Sequence, residues 1–322
     1  LALAAFTIAA AAHAAPAYQV IDRIAGPDGR WDYVRVDTAH NRVLVAHGTS
    51  VTAVDLGTKA VTAKLSPGTL LHDAMPVNGE VLVTDGGAGK AIFTDKTGAA
   101  IATVQAGKNP DAATYDARSG LVLVMNHSGG DITLINAKTH AAVGTITVGG
   151  DLEAAALDGA GQAFVNVEDR NQIAVVDLAA RRVTARWDLT GCDAPTGIAY
   201  DAADHMLISA CDGSTEFVDA RSGKVLQNLV TGKGADGVAY DARQKLAFVP
   251  SGRGGTLAVI AVSPGKSAVV QTLTTQVSAR TIALDERTGR LYLPSATYGP
   301  PASPGGRPTL VPGSFRLIVV GK

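Results

Sequence analysis

Aromatic residues are scarce in this chain, at 5% of 322 residues, while Gly and Pro together are plentiful at 36 and 14. That balance suits many short strands joined by tight turns. Charge of one sign is also lacking: 28 basic residues face 29 acidic ones, a formal net charge of −1. No long-range field pulls the chain toward nucleic acid or anionic lipid, so neither is an expected partner. Beyond the N-terminus no apolar run is long enough to span a bilayer. There is no Walker loop, dinucleotide fingerprint, nucleophile elbow or Cys-based metal motif. The glycine-rich Asp85-Gly-Gly-Ala-Gly-Lys90 lies between strands with no following helix, and reads as a hairpin connection.

What is present is repetition. An Asp- or Asn-led turn recurs at Asp37, Asn78, Asp116, Asp158, Asp201, Asp241 and Asp285, every 38 to 44 residues. Each copy carries several short apolar strands. A period near 40 with that grammar predicts an all-β fold, a seven-bladed β-propeller of four-stranded blades. In the third copy the strands read as Ala112–Tyr115, Leu121–Met125, Asp131–Ile135 and Ala142–Val148. The turns have ordinary chemistry, with Asp opening and Gly or Asn closing. The last copy lacks its fourth strand. Tyr18–Ile24 precedes the first copy and can supply it, closing the ring and removing an exposed edge.

The first residues form a separate unit. Leu1–Ala12 is almost wholly apolar and ends in Ala12-His13-Ala14, a small-x-small cleavage pattern. Residues 1–14 are therefore expected to be a signal peptide, and 15–322 a single propeller domain that is periplasmic or secreted. In an oxidising compartment the two cysteines, Cys192 and Cys211, can pair. The turn at Asp201–His205 folds their strands antiparallel and brings both to one end of a blade, so a disulfide is expected.

The phrases Leu121-Val-Leu-Val-Met-Asn126, Val43-Leu-Val-Ala-His47 and Leu291-Tyr-Leu-Pro-Ser295, each followed by a polar break and another strand, resemble the YVTN-repeat, YncE-like family of seven-bladed propellers. Pro195-Thr-Gly197 matches the family's Pro-x-Gly opening of the innermost strand, altered at Pro110-Asp-Ala112 and Ala235-Asp-Gly237. The resemblance covers nearly all of the expected mature chain and implies architecture and export, not one reaction. A looser similarity is to seven-bladed lactonases and quinoprotein dehydrogenases.

Function must be argued from the site. Five residues before each marker turn, where the innermost strand meets the channel mouth, stand Asp32, Asp73, Asp111, Glu153, Thr196, Asp236 and Arg280. Five of these seven are acids, an enrichment over the chain as a whole. Arg280 can neutralise Asp32 and Asp236 across the ring. Asp73, Asp111 and Glu153 show no evident cation, which invites a divalent ion such as Ca²⁺, a cationic ligand, or a protonated carboxyl. His72 adjoins this arc. His47, His127 and Asp85 end strands toward the same mouth, a weaker hint of a His/Asp metal site. An insertion, 298–312, is proline-rich and falls over the mouth, as a lid or as a docking segment.

These features suggest an exported propeller that binds a small ligand, cation or envelope protein at its acidic mouth. The alternatives are a lactonase-type hydrolase or isomerase, with a carboxylate as base and Arg280 at the oxyanion, and a non-catalytic envelope scaffold.

Overall fold

The computed structural model describes residues 18–301, 303 and 308–322. The expected signal peptide lies outside these residues, as do 302 and 304–307 of the proline-rich insertion. The described chain is all-β, with two three-residue 3₁₀ turns as its only helical segments.

Strands form where the sequence places them. The third repeat runs Pro110–Asp116, Leu121–Asn126, Asp131–Asn136 and Ala141–Thr147, each within two residues of expectation. Its first turn closes on Gly120 at φ 71°, a left-handed conformation that glycine adopts without penalty. Gly289 does the same at φ 70°. Asn41, His205 and Lys245 hold this position in other repeats, so the turn geometry is stricter than the residue choice. A second set of acids and amides caps the outer turns. Asp55 Oδ1 accepts from the amides of Gly57 and Thr58 at 2.9 and 2.7 Å, and Asp219 Oδ1 serves Arg221 and Ser222 likewise. Many of the chain's carboxylates are thus spent on turns at the face away from the channel mouth.

The ring closes as the missing fourth strand requires. Gln19–Ala25 pairs antiparallel with Arg316–Gly321, which pairs with Arg290–Ser295 and through it Ala283–Asp285. Tyr18 packs edge-on against Phe248 at 5.1 Å and anchors the start of this strand. Five sheets have four strands. The first two repeats depart from the expected four-plus-four: their strands form one six-stranded sheet. The reason is length. Val61–Val77 runs without a break, so it pairs first with Arg42–Asp55 of the first repeat and then with Glu80–Asp85 of the second.

The innermost strands touch in cyclic order. Val34–Asp37 meets Val61–Val77, then Pro110–Asp116, Leu152–Leu157, Ile198–Asp201, Ala239–Asp241 and Ala283–Asp285, and the last returns to the first. The second and third strands of each sheet are buried on both faces between neighbouring sheets, as in Leu121–Asn126 and Thr256–Ala261. They therefore show no one-sided alternation. Alternation belongs to the outermost strands, such as Arg182–Asp188, which have one wet face. Apolar side chains fill the spaces between sheets, Leu123, Ile132, Val165 and Val176 in one and Phe248, Val259, Leu293 and Ile318 in another.

Cys192 and Cys211 are disulfide-bonded, with Cα atoms 5.3 Å apart. Both are buried against Leu207, Val218 and Ile198, so the bond ties the start of the fifth repeat to the end of its second strand.

Candidate functional site

The seven residues of the expected ring do not share one fate. Asp73 is fully buried and receives a two-pronged bond from Arg35, Nε to Oδ1 at 2.9 Å and Nη2 to Oδ2 at 2.5 Å. The amides of Ala74 and Ala113 donate to the same carboxylate at 2.8 and 3.1 Å. Asp73 therefore has its cation and all its donors, and the expectation that it lacks a positive partner is corrected. Arg35 was legible in principle. In Tyr33-Val34-Arg35-Val36 the two-residue period sends Tyr33 and Arg35 to the face opposite the apolar Val34 and Val36.

Asp111, one repeat on, is the opposite case. It is 7% exposed, and its Oδ1 receives no hydrogen bond. His72 Nδ1 lies 3.2 Å from that oxygen and 2.7 Å from Asp32 Oδ2. On its other side His72 Nε2 meets Asn109 Oδ1 at 3.2 Å. Glu153 is likewise buried, with His127 Nδ1 at 3.2 Å from Oε1 and the Tyr33 hydroxyl at 3.5 Å from Oε2. Arg280 Nε donates to Asp236 at 2.7 Å, its Nη2 donates to the Trp31 carbonyl at 2.6 Å, and Asp32 lies 3.9 Å away. Its guanidinium also sits over the Trp31 ring at 5.7 Å. Thr196 is buried and donates to the Ala235 carbonyl, a link between neighbouring innermost strands.

Two carboxylate–histidine groups come together, Asp32–His72–Asp111 and Asp111–His127–Glu153. Asp73 is in neither, so the oxygen-only trio of Asp73, Asp111 and Glu153 does not assemble among the described residues. Two other expected members of the mouth are structural. Asp85 accepts from Thr69 Oγ1 and from the amides of Thr69, Leu70 and Ala88, which hold its carboxyl below the usual range despite burial. His47 is buried against the Phe315 ring at 4.5 Å, and burial lowers its pKa.

The electrostatics follow the geometry. Burial, then the charges of Asp32 and Glu153, push Asp111 well above the carboxylate range. Burial, then Asp236, Glu168 and Asp32, do the same to Glu153. Burial also raises Asp236, against the pull of Arg280. Burial alone would lower His72, but the hydrogen bond to Asp32 and the charge of Asp111 raise it. These groups compete for too few cations in a water-poor space.

A cleft of about 740 Å³ opens beside this cluster. Trp31, Tyr298, Arg280, Asp236, Arg253 and Glu168 line it, and Pro308 adds a second point from the insertion. Within the insertion Tyr298–Pro301 pairs antiparallel with Pro308–Leu310, and the Tyr298 ring stands 6.2 Å from that of Trp31. Trp31 and Glu168 escaped the sequence reading because they lie outside the seven-residue register.

No protein-family model matches the sequence, and no curated protein matches it. Solved structures do match. A chain in the structure named "Crystal Structure of Mitotic Checkpoint Complex" superposes with a TM-score of 0.75, over 98% of this chain and 98% of its own, at 13% identity. At that identity the likeness defines a class, the β-propellers, and nothing finer. The matches extend to 1515 solved chains, a breadth that leaves function to the site.

Proposed function

We propose that the chain is an exported seven-bladed propeller of the YVTN-repeat type that binds a small polar ligand at the mouth of its channel and does not transform it. The blade count is supported by the cyclic run of innermost strands, with the six-stranded sheet taken as two blades joined by long strands. Export, to the periplasm or the exterior, is supported by the N-terminal pattern of residues 1–14 and the buried disulfide. No described helix is long and apolar enough to cross a membrane.

One observation carries the binding reading: a cleft with aromatic walls, Trp31 and Tyr298, is also lined by charged groups of both signs, Arg253, Arg280, Asp236 and Glu168. Apolar walls with a few convergent polar groups are the ordinary make-up of a small-molecule site. The hydrolase reading asks Arg280 to stabilise an oxyanion. Its Nε and Nη2 are already committed to Asp236 and the Trp31 carbonyl, which weighs against that role. Trp187→Phe leaves Trp31 as the sole tryptophan. Its fluorescence should then report a saturable response to one class in a panel of charged and zwitterionic metabolites, and Tyr298→Ala should weaken that response. Binding that leaves Trp31 silent and ignores Tyr298→Ala would place the ligand elsewhere.

A further inference from the structure

His72 is placed as a metal ligand is placed. Its Nε2 faces Asn109 Oδ1 at 3.2 Å, so a neutral ring would keep its proton on Nε2. Its Nδ1 points between two carboxylate oxygens, Asp32 Oδ2 at 2.7 Å and Asp111 Oδ1 at 3.2 Å. Three such atoms facing one another repel unless a proton or a metal cation lies among them. Asp111 Oδ1 is the independent sign: a carboxylate oxygen on a residue 7% exposed, without a hydrogen bond, turned into this group. Without metal, a ring proton on Nδ1 answers Asp32 at 2.7 Å and leaves Asp111 Oδ1 without a hydrogen bond; a metal ion in place of that proton would answer all three atoms. One nitrogen and two oxygens, with the second ring nitrogen oriented by an amide carbonyl, are the ligand set and outer support of a zinc-type centre.

The neighbouring group gives the contrast. His127 Nδ1 lies 3.2 Å from both Glu153 Oε1 and the Leu152 carbonyl. A carbonyl only accepts, so that nitrogen carries a proton and offers no lone pair to a metal. Glu153 Oε2 also has the Tyr33 hydroxyl. Proton sharing satisfies this group.

We propose that Asp32, His72 and Asp111 bind one divalent first-row transition ion of the Zn²⁺ type, with Asn109 as the positioning residue that fixes the His72 tautomer. Nitrogen in the set favours such an ion over Ca²⁺, which takes six to eight oxygens. An ion there leaves coordination positions facing the channel, and a ligand in the adjoining cleft could fill them. That last step rests on the mouth being a ligand site; the metal step does not.

The test is Zn²⁺ titration calorimetry on tag-free, EDTA-stripped full-length protein, repeated with Co²⁺ for its visible absorption. One equivalent should bind. His72→Ala and Asp111→Asn should each weaken binding at least tenfold, Asn109→Ala by about tenfold, and His127→Ala by less than about twofold. Should Asp111→Asn misfold, His72→Gln carries the same test. Absence of saturable one-equivalent binding, or equal losses in His72→Ala and His127→Ala, would overturn the assignment. Metal binding without any Trp31 response to metabolites would retain this site and remove the ligand reading.

Discussion

Asp73 and Asp111 stand one repeat apart at the same register of the same ring, and the fold treats them oppositely. Asp73 is fully buried yet takes a two-pronged bond from Arg35 and two backbone amides. Asp111 is nearly as buried and has one oxygen with no hydrogen bond, beside a histidine already engaged by Asp32. A repeat architecture copies positions, but a single substitution in one copy, here Arg35, decides whether a copied acid becomes a brace or remains available. Buried carboxylates with all donors in place stabilise; Asp111, without them, is the one the proposed metal site would use.

The comparison breaks most forcefully at Arg35. Arg35→Ala leaves the Asp73 charge buried without its partner and should cost about 3–5 kcal/mol in denaturant unfolding. A loss below about 1 kcal/mol would mean that Asp73 is no brace. Next comes a restraint that belongs to neither corner. Removing the disulfide as Cys192→Ser with Cys211→Ser, a closure 19 residues long, should cost about 3 kcal/mol. Zn²⁺ binding should survive it, because the bond lies in the fifth repeat; loss of binding would tie the mouth to that blade.

Asp111→Asn should be nearly silent in the absence of metal, within about 1 kcal/mol of wild type and on the stabilising side, since it relieves repulsion among Asp32, Asp111 and Glu153. Destabilisation comparable to that of Arg35→Ala would erase the contrast. The smallest effect extends the same rule to two acids away from the ring. Hydrogen bonds lower the Asp85 pKa against burial, so its contribution is present above the unfolded value near 3.9 and is lost as pH falls through the folded one. Burial raises Glu216, whose Oε2 has no partner, against the opposing bonds from Gly191 and Asn228. Its folded state holds a proton that its unfolded state gives up near pH 4.3, so stability falls as pH rises through the folded value. Asp85→Asn should therefore lose most relative to wild type at pH 7 and least near pH 3. Glu216→Gln should gain relative to wild type between pH 4 and 7. Parallel unfolding curves for both variants would refute the distinction.

Much of this fold is written locally. Asp-led turns, Gly120 and Gly289 at left-handed positions, and apolar strands between them depend on neighbours a few residues away, so the repeat could be read directly. The incomplete last copy made ring closure by the N-terminal strand legible as well. The merged first two repeats were not, because the pairing of Val61–Val77 with strands of both repeats is set by the strands it meets and not by any residue within it. At the site, the register brought the acids of the mouth into one line. What it could not supply was lateral pairing between strands 38 or 40 residues apart, Arg35 with Asp73 and His72 with Asp32. Nor could it show that Trp31 and Tyr298, from opposite ends of the chain, wall one cleft. Such partners are set by the curvature of the ring, which no local pattern encodes.

The most direct measurement is anomalous diffraction at the zinc edge from crystals of the wild-type protein soaked in Zn²⁺. The account predicts one strong peak about 2.0–2.2 Å from His72 Nδ1 and from carboxylate oxygens of Asp32 and Asp111. No peak should appear at His127, and Asp73 should remain on Arg35. A peak centred on His127 and Glu153, or none at the mouth with His72 still between two carboxylates, would contradict it.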